Sequence, residues 1–331
     1  MHDGHCGCGC GGGGKGDGRT ARPRFLVIRG GAIGDFIVTL PVLQALRARW
    51  PECHIALWAY PHVAQLAVMA GLADEVTSLD RADMARFFVP VPEYTDEQRR
   101  LIPSFDIVFN YLHDIEGQVR SNLLLAGARQ VLSGSPMIKR PPATRFLLEP
   151  LMDLALYDQP DVPVLAFPEA ILAQGRARLA AVAGDGVRPV VVHPGAGAAS
   201  KRWGLDGFLS VADRVEAAGG TVAWALGEAD GEVSAALAQA RPGAKRLEGL
   251  ELAELAPMLA AARAYLGNDS GVSHVAAAVG VPTLALFGPT DPETWAPKSR
   301  APAKVLAAPD GRLEKLGPEA VWAAFRALAG L

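Results

Sequence analysis

The sequence predicts an α/β protein built from two doubly wound halves, each a parallel sheet covered by helices on both faces. Short apolar runs alternate with stretches of helical periodicity, first from Arg24 to about residue 132 and again from residue 190 onwards. Such alternation is typical of βαβ units. Between the two blocks, residues 157–168 hold three prolines and two aspartates, which indicates an inter-domain linker. The 331 residues are enough for two domains of ordinary size.

In the first half, the apolar run 25–28 is predicted to be a strand, and the glycine-rich residues 29–35 lead into a helix. Apolar residues at helical spacing, from Ile37 to Trp50, mark the buried stripe of that helix. Pro41 would interrupt it, so either the helix bends there or regular helix begins near Thr39. Further strands are predicted at 54–59, 75–78, 106–110 and 130–132, helices at 61–70 and 116–126, and a basic loop at 134–145.

The second half repeats this plan around the stretch 266–292. Its NDSG segment at 268–271 has the small polar composition of a turn that caps a helix, and three valines at helical spacing follow. The free N–H groups at such a helix start would favour a bound phosphate, although an ordinary capped α/β turn has the same pattern. The other predicted elements are strands at 190–192, 221–226 and 283–287 and helices at 205–218 and 318–329.

Composition excludes some classes of partner. A formal net charge of −3 gives no reason to expect binding to nucleic acid. Apolar runs are too short to span a bilayer, and the N-terminus lacks the apolar core of a secretory signal. We therefore expect a cytoplasmic protein with at most peripheral contact at the inner face of the cytoplasmic membrane. Cys53, isolated in sequence, is expected to be a buried small apolar residue rather than a nucleophile.

Residues 1–23 are predicted to be a disordered tail rich in glycine, cysteine and histidine. Cys6, Cys8 and Cys10, together with His2 and His5, could bind a soft metal ion. The surrounding glycines do nothing to orient these ligands, so a disordered tail is the preferred interpretation.

Three loops of the second half are expected to meet at the cleft between the two sheets, where ligands bind in such folds. Lys201, just before a helix, could bind a diphosphate as a point charge, although a lysine at a loop edge is more often merely solvated. Glu228, one residue past a predicted strand end, suits the hydroxyls of a ribose. His274 follows the Asp269 turn and is as consistent with a packed histidine as with a ligand.

In the first half, Asp35 stands where a helix begins at the edge of the cleft. It could simply cap the helix. It could also act as a general base towards a hydroxyl group. A helix N-terminus keeps the carboxylate ionised but makes it a weaker base, so positioning would have to matter more than basicity.

Three motifs, in this order, resemble those of glycosyltransferase family 9, the heptosyltransferase group of lipopolysaccharide core assembly. They are RGGAIGD at 29–35 with TLP at 39–41, HPG at 193–195 with KRW at 201–203, and NDSG at 268–271 with His274 and FGPTDP at 287–292. The likeness extends from about Arg24 to the end of the chain.

The resemblance implies a GT-B fold, in which two Rossmann-like domains face each other across a cleft. An acceptor-side domain would span residues 24–160, and a domain that binds the nucleotide sugar would span 161–331 with a terminal helix. It implies inverting transfer of a heptose, from ADP-heptose, to a lipid-linked or saccharide acceptor of the lipopolysaccharide core. No metal and no cofactor is expected, and no D-x-D-like pair stands at a strand end to hold a cation.

Motif positions then assign residues to roles. Asp35 matches the catalytic base of the family. Residues expected to bind the donor are Lys201, Glu228, Asp269, Ser270, Gly271 and His274. Basic residues that could meet an acidic acceptor are Arg120, Lys139, Arg140 and Arg145. A strand that often ends in aspartate in the family ends here in Asn110.

Two other functions are compatible with the same architecture. One is a nucleotide-sugar epimerase, and the other is a protein that binds a nucleotide sugar without catalysis. A search for epimerised donor would identify an epimerase. Asp35→Ala would separate a transferase, which should lose rate while still binding donor, from a protein that only binds.

Overall fold

The structure, a computed structural model, describes residues 22–331. Within that range two separate parallel sheets carry helices on both faces, which confirms the predicted fold class. The cysteines and histidines of residues 2–10, and with them the question of a metal site in the tail, lie outside the described residues.

The N-terminal sheet has the order β3-β2-β1-β4-β5. Its central strand pairs with β2 on one side and β4 on the other, so the chain leaves the strand at a switch point where a crevice forms. Phe25 to Ile28 are at most 1% exposed, as expected for a strand covered on both faces. The strands are β1 (Arg24–Ile28), β2 (His54–Ala59), β3 (Glu75–Ser78), β4 (Ile107–Asn110) and β5 (Val131–Ser133).

The first predicted helix is divided in two. The first piece ends at Ile37, the Thr39 N–H bonds to the Phe36 carbonyl at 2.9 Å, and the second piece begins at Leu40 with Pro41 in its first turn. Proline is tolerated there because the first N–H groups of a helix have no internal partner. The second alternative, a helix that begins near Thr39, is therefore confirmed. The helices of this half are α1 (Ile33–Ile37), α2 (Leu40–Arg49), α3 (Pro61–Met69), α4 (Asp96–Leu101), α5 (Gln118–Leu125) and α6 (Ala143–Leu147).

The C-terminal sheet has the order β11-β10-β9-β6-β7-β8, so its switch point lies between β6 and β9. The edge strand β11 is only partly buried, and its sequence lacks the apolar run that would have predicted it. The prediction of a loop at 134–145 is also partly wrong, because α6 begins at Ala143, within that range. The strands are β6 (Val190–His193), β7 (Val222–Leu226), β8 (Lys245–Glu248), β9 (Ala264–Asn268), β10 (Thr283–Phe287) and β11 (Ala303–Ala307).

The C-terminal helices cover both faces of this sheet. A continuous buried apolar cluster joins residues of α2 and α3 to residues of α10 and α11, so the two halves share part of one core. Cys53 belongs to this cluster and is 3% exposed, which confirms its structural role. The helices are α7 (Glu169–Ala183), α8 (Leu205–Ala217), α9 (Gly231–Ala240), α10 (Leu252–Ala261), α11 (Gly271–Ala278), α12 (Pro292–Trp295) and α13 (Pro318–Leu328).

The predicted linker forms hydrogen bonds with both halves of the protein. The Gln44 side chain on α2 donates to the Val162 carbonyl at 3.1 Å and accepts from the Val164 N–H at 2.9 Å. The Asp161 carboxylate accepts from Thr144 of the N-terminal half at 3.3 Å and from Lys298 of the C-terminal half at 2.6 Å. Residues 161–164 of the linker are therefore anchored to both halves by hydrogen bonds.

Within residues 22–331, no helix combines the length and the apolar character that a bilayer crossing requires.

Candidate active site

Loops from both halves enclose a cavity of about 500 Å³ at the carboxyl edges of the two sheets. A larger, mostly apolar cavity of about 620 Å³ lies between α7 and α10, away from these loops. We take the cavity of about 500 Å³ as the candidate active site, because ionisable side chains of both halves line it together. They are Asp35, Lys201, Asp269 and His274. Its lining residues are Ala32, Gly34, Asp35, Gly197, Ala198, Lys201, Asp269, Ser270, Gly271, His274, Thr290 and Trp295.

Asp35 enters the cavity from the first turn of α1. Its Oδ2 accepts the Ala32 N–H at 2.9 Å, and its Oδ1 lies 3.3 Å from Nη2 of Arg29. The predicted capping role is therefore present in the structure. About 30% of the side chain remains exposed, so the carboxylate is also open to the cavity.

Lys201 and Asp269 form an ion pair across two loops of the C-terminal half. The Lys201 Nζ donates to Asp269 Oδ2 at 2.7 Å. The lysine side chain is 35% exposed, whereas the aspartate side chain is only 7% exposed. The ammonium is thus held at the cavity wall by a buried carboxylate, with part of its surface free for a second anion.

The start of α11 contacts the start of α1. A Cβ on Gly271 would lie 2.4 Å from the Ile33 Cβ, and one on Gly34 would lie 3.2 Å from the His274 ring. Only glycine permits this approach, which joins the two halves beside the cavity. Ser270 and Gly271, at the start of the eight-residue α11, line the same cavity as Lys201, and the first N–H groups of a helix have no partner within the helix.

His274 lies in this wall with 5% of its surface exposed. Burial lowers the pKa of its imidazole to about 4, although the neighbouring Asp269 and Asp35 carboxylates raise it and Lys201 lowers it further. The ring is therefore neutral at pH 7 and can donate one hydrogen bond and accept another.

The loops behind the cavity are connected by Asn268, a residue of the NDSG motif to which the sequence assigned no individual role. Its Oδ1 accepts the Trp203 N–H at 3.0 Å, and its Nδ2 donates to the Pro194 carbonyl at 2.8 Å. Because Asn268 is fully buried, these bonds replace its water and fix the relative position of all three loops.

The HPG motif also has a structural explanation. A Cβ on Gly195 would lie 2.0 Å from Asp230 Oδ1, so only glycine fits beside that buried carboxylate. The Nδ1 of His193 lies 3.0 Å from the Ala225 carbonyl. Burial lowers the pKa of His193, which is therefore neutral and holds β6 against β7.

Several predicted site residues do not line the cavity. Glu228 stands at the end of β7 on the same sheet edge, but it is exposed and outside the cavity wall. Arg140 pairs with Glu149 at 2.7 Å, and Arg145 lies 3.8 Å from Asp161. Arg120 and Lys139 are exposed on the N-terminal half.

Asn110 belongs to a buried network rather than to the cavity. Its Nδ2 donates to Asp114 at 3.2 Å, and its Oδ1 accepts the Leu112 N–H at 3.1 Å. Asp114 in turn accepts the N–H groups of Val119 and Arg120 at the start of α5. An amide suits this position because it donates to one side and accepts from the other.

Two further residues of the cavity wall are Thr290, from the FGPTDP motif after β10, and Trp295 of α12. No motif or pattern in the sequence indicated Trp295. Its half-buried side chain meets the cavity only once the loops are folded together. Among residues 22–331, no three His, Cys, Asp or Glu side chains lie close enough to hold a metal ion.

Two Rossmann-like domains that face each other across a cavity form the GT-B architecture, and here one domain contributes an acid and the other a cation to the cavity wall. The chain belongs to glycosyltransferase family 9 (heptosyltransferase), whose family model matches residues 130–316, more than half of the chain.

Relatives of known sequence are heptosyltransferases. Lipopolysaccharide heptosyltransferase 3 of Escherichia coli is 26% identical over 294 residues, which is 80% of this chain and 82% of that protein. Lipopolysaccharide heptosyltransferase 1 of Pseudomonas aeruginosa is 40% identical over 94 residues, a stretch that covers 28% of this chain and only 26% of that relative.

Solved structures share the fold over nearly the whole chain. A family 9 glycosyl transferase from Veillonella parvula has a TM-score of 0.75 at 22% identity and covers 93% of this chain and 97% of its own. The E. coli heptosyltransferase WaaC with ADP has a TM-score of 0.70 at 18% identity, over 92% of this chain and 99% of its own.

Proposed function

We propose that the protein transfers a heptose from ADP-heptose to a saccharide of the lipopolysaccharide core, with inversion and without a metal ion. One observation carries the proposal: Asp35 of the N-terminal half and Lys201 of the C-terminal half line the same cavity. ADP as the nucleotide is supported by WaaC, a structure of the same fold that was solved with ADP. Heptose as the sugar is supported by the lipopolysaccharide heptosyltransferases to which the chain is similar.

The C-terminal half, residues 161–331, would hold the diphosphate of the donor. Negative charge grows on the diphosphate as its bond to the anomeric carbon breaks, and the sugar gains oxocarbenium character. Lys201 would meet that charge, and the N–H groups at the start of α11 beside Ser270 and Gly271 would donate to the phosphate oxygens. These groups would stabilise the negative charge of the diphosphate, which a metal ion stabilises in other transferases.

Asp269 would prepare the lysine for this task. Its buried carboxylate already holds the Lys201 ammonium 2.7 Å away, so the cation need not be ordered when the donor enters. The neutral His274 ring beside them adds a hydrogen-bond donor without a further positive charge. Glu228, exposed at the end of β7, would reach the ribose at the rim of the cavity.

The N-terminal half, residues 24–160, would present the acceptor. Asp35 would take the proton of the attacking hydroxyl from the face opposite the leaving diphosphate, which produces inversion. The basic residues of this half would contact acidic groups of a lipid-linked acceptor at the inner face of the cytoplasmic membrane. These residues are Arg120, Lys139, Arg140 and Arg145.

Mass spectrometry of the products from a panel of ADP- and UDP-sugars and truncated core acceptors tests the proposal. We expect an acceptor heavier by one heptose, from ADP-heptose only. Asp35→Asn should lower kcat by about 100-fold or more while ADP still binds. Isomerised donor without glycosylated acceptor would indicate an epimerase. Donor binding with no product from any acceptor, and no change in Asp35→Asn, would indicate a binding protein.

A further inference from the structure

The buried Arg29 at the end of β1 is not explained by donor or acceptor binding. Only 2% of its surface is exposed, and it does not line the cavity. Charged side chains are seldom buried to this extent unless they are paired. Burial lowers the pKa of the guanidinium, and the Asp35 carboxylate raises it. The partner that compensates its burial is therefore Asp35.

The guanidinium directs its donors mainly at one residue. Nε and Nη2 donate to the Asp35 carbonyl at 3.2 and 3.1 Å, and Nη2 also lies 3.3 Å from the Asp35 carboxylate. Nε further donates to the Thr39 hydroxyl at 3.1 Å, and that hydroxyl donates to the same carbonyl at 2.8 Å. Main chain and side chain of Asp35 are thus held from one side.

The break between α1 and α2 makes this arrangement possible. In a continuous helix the Thr39 N–H would bond to the Asp35 carbonyl, but here it bonds to the Phe36 carbonyl. The Asp35 carbonyl is therefore available to Arg29. Since the Ala32 N–H holds the other carboxylate oxygen at 2.9 Å, rotation of the carboxylate is restricted from two directions.

We propose that Arg29 is a positioning residue that fixes the direction of the Asp35 carboxylate towards the acceptor hydroxyl. The inference rests on the proposed function of Asp35 as the base. A carboxylate accepts a proton only along a lone pair, so the rate depends on where the free lone pair of Asp35 points. A misplacement of about 1 Å lowers the rate of such a reaction by about 100-fold.

Steady-state kinetics and ADP binding of Arg29→Gln, Arg29→Lys and Asp35→Asn test the role. We expect Arg29→Gln to lower kcat by about 100-fold and Arg29→Lys by about tenfold, because lysine keeps the charge but not the fork of donors. The Kd for ADP should stay within about twofold in both, since Arg29 does not touch the donor.

Thr39→Val is the matched control, because it removes the hydroxyl that donates to the Asp35 carbonyl and accepts from Arg29 Nε, but leaves the contact of Arg29 with the Asp35 carboxylate intact. A loss in Thr39→Val as large as in Arg29→Gln would assign the effect to the helix junction and overturn the proposal. If Arg29→Gln does not fold, as judged by circular dichroism, Arg29→Lys decides: parental kcat overturns the proposal.

The two proposals fail in different ways. Parental kcat in Arg29→Gln combined with an inactive Asp35→Asn would overturn the role of Arg29 alone. Parental kcat in Asp35→Asn would overturn the role of Asp35 as the base, and the role of Arg29 with it.

Discussion

Replacing Lys201 with methionine keeps the length of the side chain and removes its charge. The Nζ atom is 2.7 Å from Asp269, and 35% of the side chain faces solvent and the cavity. The change therefore has two separable effects: it removes a cation from the proposed diphosphate site, and it leaves a buried carboxylate without its partner.

The loss of donor affinity follows from the lost hydrogen bond. A bond between charged groups contributes about 1.5–3 kcal/mol, which corresponds to a change of roughly 10–150-fold in Kd. Because the lysine is one-third exposed, we expect the lower part of this range, about 10–30-fold for ADP.

The loss of stability follows from Asp269, whose side chain is 7% exposed. An unpaired buried group costs about 1–3 kcal/mol, and each kcal/mol lowers Tm by about 1–2 °C in a chain of 331 residues. In the double variant Lys201→Met/Asp269→Asn, a neutral amide replaces the buried carboxylate and needs no cation beside it. Its Tm should return towards the parental value while its affinity for ADP stays low.

Isothermal titration calorimetry with ADP and thermal unfolding measure the two effects. Lys304→Met is the control, because this lysine is exposed on β11 and outside the cavity wall. A Kd for ADP in Lys201→Met within about threefold of the parental value would refute the assigned phosphate contact.

Three further results are expected. Gly271→Ala should weaken ADP binding and lower Tm, because its Cβ would lie 2.4 Å from the Ile33 Cβ; the added substitution Ile33→Gly removes that atom and should restore ADP binding in part, and failure to do so would disprove the steric explanation. The pKa of His274 is about 4 in the folded protein against an ordinary 6.5, so the unfolded chain binds the proton more readily. Stability should fall as pH decreases from about 6.5 to 4, by on the order of 3 kcal/mol from this residue, and urea unfolding of His274→Asn should show a flatter profile. Lys139→Ala should raise KM about tenfold for a phosphorylated acceptor and leave it unchanged for the dephosphorylated one, with equal effects on both contradicting a phosphate contact.

Much of the fold is readable from the sequence because both sheets are buried on two faces. Strands such as β1, β6 and β10 are then continuous apolar runs, and the alternation with helices defines a parallel topology. The edge strand β11 lacks this signal because it is only partly buried. The break at Thr39 was one of two alternatives, since a proline permits both a bend and a restart.

The candidate site is readable only in part. Motif order indicates Asp35, Lys201 and the turn before α11, and the structure brings these together. Asn268 and Arg29 belong to the motifs, but the sequence does not indicate their roles, because their partners are distant in sequence or depend on a carbonyl released by a helix break. Likewise, a position at a strand end does not determine where a side chain points, and Glu228 is not among the residues that line the cavity.

The linker contacts limit how the cleft can open. The Gln44 amide bonds to two linker peptides, and the Asp161 carboxylate bonds to side chains of both halves, so the halves are tied together at this crossing. An opening that keeps these four hydrogen bonds and separates α1 from α11 would be a rotation about the linker, with its largest displacement at the cavity mouth.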